Sequence, residues 1–177
     1  MRRVAVVSLA IAMLLGVTAG IAVATDVGWT GRVVGEVVAT DSGHDGLSVG
    51  FRAVARPTDE SFSRAHGSGY YDFNGNAFHV RVTHMCVSES EGTASVWGPV
   101  KVKSGSFSGG ELVKGDSGYG VLSLLDNGDG IVSARAAIAV EFFPTIPDVI
   151  AVNCEHSPTF PAPFPATGLG ELNLISK

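Results

Sequence analysis

Hydrophobic and polar side chains alternate along much of the chain after its first 30 residues. The cleanest run extends from Leu47 to Ala55, where every second residue is apolar and only Val54 departs from the rule. A period of two is what a β-strand with one buried face requires. Beyond residue 24 we find no convincing helical period of 3.6 residues. The pattern therefore predicts an all-β fold.

The centre of the chain shows the clearest hairpin. Asn74-Gly75 lies between two apolar-rich runs, and this pair readily takes positive φ at both central positions of a type I′ turn. From Phe78 to Val82 every second residue is apolar, and Cys86 shares that parity. A second turn at Glu91-Gly92 is followed by another alternating run, from Thr93 to Gly98. The sequence predicts an antiparallel β-meander here.

Further strands are predicted on both sides of the meander. Gly31 to Thr40 is rich in valine, and Tyr119 to Leu125 has the length and composition of a strand. Ile131 to Phe143 is rich in alanine, so a helix competes there, but its alternation favours a strand. Gly170 to Ile175 is either a last strand that pairs with the sheet or part of a flexible tail.

Turn-rich segments separate these elements. Ser104 to Gly118 contains five glycines and room for one short strand at Glu111–Lys114, Val149–Cys154 is a further short strand, and residues 157–166 are rich in proline. About nine short strands at close spacing indicate an antiparallel sandwich or a small barrel.

The N-terminus has the pattern of a secretory signal peptide. A basic start, Met1-Arg2-Arg3, precedes an apolar run to Ala24 that ends in Ala22-Val23-Ala24. We expect cleavage after residue 24, which leaves residues 25–177 as a single domain, released from the cell or held at its envelope, with no membrane span. The alternative is an uncleaved anchor, since 21 residues suffice to span a bilayer.

Charge excludes two classes of partner. Removing Arg2 and Arg3 from the 12 basic residues leaves 10 against 17 acidic ones, a formal net charge of −7. Nucleic acids and anionic membrane surfaces are bound by clustered lysine and arginine, which this chain lacks.

The two cysteines, Cys86 and Cys154, are predicted to form a disulfide, because an exported chain meets an oxidising environment. Two free buried thiols are the alternative. A structural zinc site is disfavoured, because such sites need four closely spaced ligands. No cofactor is predicted.

Aromatic side chains suggest a binding surface. Trp97 has the opposite parity from its apolar neighbours, and Tyr70 and Tyr71 stand beside the Asn-Gly hairpin. Together they form a candidate stacking platform for a glycan or a partner protein. The alternative is that these rings pack the second face of a two-layer fold.

Candidate catalytic residues are few. No nucleophile elbow, zinc-protease motif or phosphate-binding loop occurs. Four carboxylates are candidates for a glycoside-cleaving pair, but their spacing singles out no two of them: Glu36, Asp72, Glu111 and Glu141.

Metal sites receive little support either. The acidic turn Asp126–Gly130 fits a hairpin better than a calcium loop, because Leu125 occupies the position where the loop needs an acid. His79 and His84 face opposite sides of a regular strand, and only a bulge would bring them to one side. We expect no metal ligands and no catalytic residues.

Two resemblances bear on architecture. Cys86, Trp97 and Cys154 resemble the Cys…Trp…Cys pattern of immunoglobulin domains, but Val152 stands where that family has its corner tyrosine. The better match involves four segments: Gly67–Asp72, Phe78–Val87, Gly92–Gly98 and Asp126–Gly130. In these the chain resembles a loosely defined family of uncharacterised secreted bacterial proteins, common in actinobacteria. That resemblance implies a compact exported β domain and supplies no site residues.

The sequence thus predicts a secreted or envelope-associated β domain without enzymatic activity, which acts by binding an extracellular protein or glycan or as a structural surface protein. A small extracellular hydrolase that acts on a polysaccharide or similar substrate is the alternative. Separating them requires a geometry that the sequence does not supply, since an enzyme needs a deep polar cleft with a perturbed ionisable group.

Overall fold

The computed structural model describes residues 29–56, 63–107, 110, 112–139 and 166–177. These ranges contain ten β-strands. They are β1 (Gly31–Ala39), β2 (Ser48–Arg56), β3 (Ser63–Phe73), β4 (Asn76–Ser88), β5 (Thr93–Ser104), β6 (Ser106–Phe107), β7 (Leu112–Val113), β8 (Ser117–Asp126), β9 (Ile131–Ala139) and β10 (Ala166–Ser176). No α-helix is found in these ranges. The all-β prediction is confirmed.

Eight of the strands close into an antiparallel barrel, in the order β1-β10-β9-β8-β5-β4-β3-β2. Consecutive strands are neighbours throughout, except that β6 and β7 form a small sheet of their own between β5 and β8. Of the two architectures left open by the sequence, sandwich and barrel, the barrel is the one adopted.

The last strand closes the barrel. β10 pairs with β1 along nine residues, from Gly31 opposite Ser176 to Ala39 opposite Gly168, and with β9 at its other side. The C-terminal segment is therefore a strand rather than a flexible tail. Ile131–Ala139 is also a strand, so the alternation there outweighed the helix propensity of its alanines.

The central meander is confirmed. Asn74 and Gly75 have φ values of 49° and 78°, as a type I′ turn requires, and they join β3 to β4. β4 pairs in turn with β5. The predicted run from Thr93 to Gly98 extends without interruption to Ser104.

Large and small side chains alternate inside the barrel. Among the largest fully buried residues are Phe78, Met85, Leu122, Leu124 and Val96. Glycines face some of them: a methyl group built on Gly35 would lie 2.6 Å from Leu124 Cδ1, and one on Gly69 equally close to Leu122 Cδ1. An eight-stranded barrel has an interior of about the size that side chains can fill.

The position of Cys86 corrects the predicted parity. Between Val80 and His84 the β4–β5 register shifts, because four steps along β4 correspond to three along β5. Such a bulge reverses which residues face inward. Met85 and Val87 consequently join the core, and Cys86, although only 6% exposed, lies on the outer side.

Aromatic residues occupy both ends of the barrel. At the end where β1 begins, the indole Nε1 of Trp29 donates a hydrogen bond to Glu89 Oε1, at 2.7 Å. At the opposite end Phe107 of β6 lies edge-on to Tyr71 and Phe78. The small β6–β7 sheet is held there by the Ser106 amide, which donates to Asn76 Oδ1 at 2.9 Å.

Several predicted features lie outside the described residues. They are the signal peptide at residues 1–24, the short strand Val149–Cys154, and the proline-rich segment 157–166 except for Ala166, which begins β10. Because Cys154 is among them, the Cys86–Cys154 disulfide stays a prediction.

Candidate functional site

A groove crosses the outer wall of the barrel. It spans five neighbouring strands, from β10 through β1, β2 and β3 to β4, and has a volume of about 470 Å³. Its lining consists of Val34, Gly35, Glu36, Phe51, Arg52, Ser68, Gly69, Tyr70, His79 and Glu171. The residues of this set that face outward include Glu36, Arg52 and His79, which are exposed.

Cross-strand register aligns the key side chains of the groove. Glu171 lies directly opposite Glu36, Glu36 opposite Gly50, Gly50 opposite Tyr70, and Tyr70 opposite His79. Directly paired residues in antiparallel strands point to the same face and are about 5 Å apart at Cβ. These five positions form one row on the outer wall.

Tyr70 lies across the floor of the groove. A methyl group built on Gly50 would be 2.7 Å from Tyr70 Cε1 and 2.9 Å from Cζ, which is closer than side-chain atoms approach one another. The ring thus covers the cross-strand glycine, an arrangement known to stabilise glycines in sheets. Ser48 Oγ donates a long hydrogen bond to the Tyr70 hydroxyl, at 3.4 Å. A half-buried aromatic ring thus lies in a groove whose lining includes charged and hydroxyl side chains.

The charges of the groove are divided between its ends. Glu36 and Glu171 supply the negative end on β1 and β10, His79 lies at the other end on β4, and Arg52 lies between them on β2. All four side chains are exposed. Within the described residues, no ion pair or side-chain hydrogen bond engages Arg52, Glu36 or Glu171. Their polar groups are therefore available to a ligand.

A smaller pocket of about 240 Å³ opens at the barrel end near Tyr71. Leu47, Val49 and Phe73 form its apolar walls, with Arg135 at its edge. Burial raises the pKa of Tyr71, with a further contribution from the charge of Asp72, and burial lowers the pKa of Arg135. Tyr71 belongs to the core, since its ring stacks on Phe78 at 5.0 Å and 10°.

The predicted aromatic platform is not assembled. Tyr70 faces outward in the groove, Tyr71 faces the core, and Trp97 lies on the outer side of β5, where it is only 6% exposed. The alternative interpretation, that such rings pack, describes Tyr71 and Trp97. Of the three predicted surface residues, only Tyr70 lies in the groove.

Two of the four candidate carboxylates, Glu36 and Asp72, lie within the described residues. Glu36 lies in the groove, Asp72 is exposed near the Asn-Gly hairpin, and Glu111 and Glu141 lie outside the described residues. The cross-strand partner of Glu36 is Glu171, which the sequence analysis did not consider. The signal that would have revealed it is the closure of the barrel by β10, since only that pairing brings the two residues together.

Neither the described histidines nor the acidic turn belongs to a group of residues that could hold a metal ion. The bulge in β4 places both His79 and His84 on the outer side, yet among described residues no group of three potential metal ligands is found. The acidic turn is a hairpin, in which the Gly128 amide donates to Asp126 Oδ1 at 2.8 Å. Asp129 adopts a φ of 53°, as hairpin turns often require.

Comparison with models of known protein families, with curated proteins and with solved structures gives no match. Over the described ranges, no helix has the length and apolar character needed to cross a membrane.

Proposed function

We propose that this protein is a non-enzymatic binding domain, secreted or associated with the cell envelope, and that it binds a glycan in the groove on the outer wall of its barrel. The observation that carries the proposal is the ring of Tyr70, which covers Gly50 among charged and hydroxyl side chains. Export is supported by the signal-peptide pattern of residues 1–24. Export and cleavage are checked by mass spectrometry of the protein recovered from culture medium, whose mass should be that of a chain that begins at Thr25.

A fixed aromatic ring suits a sugar. The apolar face of a pyranose ring stacks on an aromatic plane, while the hydroxyl groups at its edge need donors and acceptors close by. The groove offers both, since Arg52, Ser68 and Glu36 surround Tyr70. Because Gly50 and the Ser48 contact restrain the ring, little side-chain entropy is lost on binding.

The same groove suits a peptide poorly. Every strand beneath it is paired on both sides, so no edge is open for strand addition. An amphipathic helix needs an apolar trough, whereas most side chains that reach into this groove are charged or carry hydroxyl groups. A hydroxyl-rich ligand is therefore favoured over a polypeptide.

The Glu36–Glu171 pair supports a second candidate, a small extracellular glycoside hydrolase. Two carboxylates flank the scissile bond in most such enzymes, and these two face each other across β1 and β10. A general acid, however, needs a water-excluded environment, and both side chains are exposed. Binding without cleavage is the function that the geometry supports better.

The test compares Tyr70→Ala with Tyr70→Phe on a panel of insoluble and soluble polysaccharides. Loss of the ring should weaken glycan binding about tenfold or more, because stacking is worth about 1 kcal/mol beyond its buried area. Phenylalanine keeps the plane and loses only a long hydrogen bond, so its affinity should stay within about threefold of the wild type. Val113→Ala, an exposed apolar change on β7, is the matched control for surface substitution.

Two results would overturn the proposal. If no polysaccharide is retained by the wild-type protein, or if Tyr70→Ala binds as tightly as the wild type while both have the same unfolding midpoint, the groove is not a glycan site. A different outcome is that the wild-type protein releases reducing ends from a polysaccharide. If it does, and if Glu36→Gln and Glu171→Gln abolish that release, the protein is a glycoside hydrolase and the binding-domain proposal is wrong.

A further inference from the structure

A second depression adjoins the groove. It has a volume of about 310 Å³, lies over β3, β4 and β5, and shares Ser68 and His79 with the first. The rest of its lining is Gly67, Val80, Arg81, Pro99, Val100 and Lys101. Because two residues belong to both, the two depressions form one continuous path from β10 to β5.

Arg81 lies beside the bulge in β4. It keeps the outward direction of His79, two residues earlier, and its cross-strand partner on β3 is Ser68. The register with β5 shifts between Val80 and His84, and the strand backbones approach closely there: a methyl group built on Gly98 would meet the Arg81 carbonyl oxygen. Arg81 is therefore an exposed cation on the same outer face as His79.

Every charged group that lines the second depression is cationic or becomes so on protonation. These groups are the side chains of Arg81, Lys101 and His79. No acidic residue contributes to the lining of the depression. The chain as a whole has a net charge of −5, so this sign is a local exception. The Lys101 side chain is oriented by a hydrogen bond, which its Nζ donates to the Gly115 carbonyl oxygen. Nothing in the described ranges pairs Arg81 with an acid.

Polarity along the whole path follows from these charges. Lys101 stands at one end, in register with His79 and Tyr70, and Glu36 and Glu171 stand at the other. Five interstrand steps of about 4.8 Å separate β10 from β5, or about 24 Å along the wall. An anionic group would be attracted to the β5 end and repelled from the β10 end, so a ligand of this length would bind in one direction.

We infer that the ligand is an acidic oligosaccharide, whose carboxylate or sulfate group binds Arg81 and Lys101 while a neighbouring sugar ring stacks on Tyr70. This inference rests on the proposed function of the groove and adds the charge and the direction of the ligand. Nucleic acid is not the ligand, because phosphate tracking needs many more cations than these and the net charge of the protein is unfavourable.

The experiment measures affinity for three soluble polymers: polygalacturonate, dextran sulfate and neutral dextran. Arg81→Gln and Lys101→Gln should each weaken binding to an acidic polymer about tenfold, since a hydrogen bond to a charged group is worth about 1.5–3 kcal/mol. Lys103→Gln is the matched control, because Lys103 is also exposed on β5 but lies outside both depressions. It should change affinity less than about twofold.

The possible outcomes distinguish this inference from the proposal that the groove binds a glycan. Preference for either acidic polymer over neutral dextran, lost in Arg81→Gln and kept in Lys103→Gln, supports the inference, and the better-bound polymer identifies the anionic group. Equal binding of all three polymers that still depends on Tyr70 overturns the inference and leaves the glycan site intact. If Lys103→Gln loses as much affinity for the acidic polymers as Arg81→Gln does, any cation of this surface attracts them equally. That result also overturns the inference.

Discussion

Tyr70 and Tyr71 are adjacent in β3 and belong to two different environments. Tyr71 faces the interior, where its ring stacks on Phe78 and burial raises its pKa. Tyr70 faces outward and lies over Gly50 in a groove lined by charged residues. The residue type is the same in both cases, so the direction imposed by the strand decides which tyrosine stabilises the fold and which one is offered to a ligand.

Two glycines extend this comparison to the whole barrel wall. Gly35 on β1 faces inward and makes room for Leu124, whereas Gly50 on β2 faces outward and makes room for Tyr70. The inner surface depends on volumes that match within a few tenths of an ångström. The outer groove depends on one restrained ring and on the signs of the surrounding charges. Changes on the two sides should therefore have effects of different kinds.

Phe78→Ala is expected to have the largest effect on stability. Phe78 is 1% exposed and stacks on Tyr71, so its removal leaves a large cavity. Such truncations cost about 3–5 kcal/mol of unfolding free energy. The matched outer change, Tyr70→Ala, should cost less than about 1 kcal/mol. Urea unfolding followed by circular dichroism measures both, and equal losses would mean that Tyr70 is as structural as Phe78.

The pair Gly35→Ala and Gly50→Ala should separate stability from binding. On Gly35 the new methyl group would lie 2.6 Å from Leu124 Cδ1 and 2.8 Å from Leu172 Cδ1, and such overpacking costs about 1–3 kcal/mol.

On Gly50 the three atoms nearest to the new methyl group all belong to the Tyr70 side chain, whose ring can swing toward solvent. Gly50→Ala should change the unfolding free energy by less than about 0.5 kcal/mol and reduce polysaccharide binding nearly as much as Tyr70→Ala does. Undiminished binding by a folded Gly50→Ala variant would show that the position of the Tyr70 ring over Gly50 does not matter for binding.

The difference between the two surfaces also explains what the sequence could predict. Burial of one face of a strand produces an alternation of apolar and polar residues in the sequence. That alternation made it possible to predict the all-β class, the Asn74-Gly75 hairpin and the inward residues of β2 and β5. The bulge in β4 could not, because one extra residue changes the parity of everything beyond it without any local composition signal. Cys86 was consequently assigned to the wrong side of its strand.

The candidate site could be predicted only in part. The sequence singles out Tyr70 as a candidate surface residue but not Arg52, Arg81 or Glu171, since exposed charges at outward positions look alike along a strand. What distinguishes them is which strands become neighbours. Glu171 meets Glu36 only because β10 returns to β1, some 135 residues further along the chain. Closure of a barrel is a long-range property that local patterns do not encode.

Asp41 lies where the inner and outer surfaces meet, in the turn between β1 and β2. Its Oδ2 accepts a hydrogen bond from the Thr167 amide at 2.7 Å, and its Oδ1 lies 2.9 Å from His44 Nδ1. The Thr167 amide is the main cause that lowers the pKa of Asp41 below its usual 3.8, and His44 adds to this against a smaller opposing effect of burial. The carboxylate thereby connects the turn to the first residues of β10.

The smallest expected effect is the dependence of this connection on pH. Because the pKa of Asp41 is lower in the folded chain than in the unfolded chain, its contribution to stability is complete above pH 3.8 and is lost as the pH falls below that value. The stability advantage of the wild type over Asp41→Asn should therefore be constant near neutral pH and shrink in acid. Urea unfolding at a series of pH values measures it.

Asp45→Asn is the matched control, since it removes the same charge from the same turn without touching the Thr167 hydrogen bond. If the two variants follow the wild type in parallel down to the most acidic pH, the charge of Asp41 does not stabilise the junction with β10. If only Asp41→Asn converges on the wild type, the rim of the barrel contains a stabilising charge that belongs neither to the packed interior nor to the binding groove.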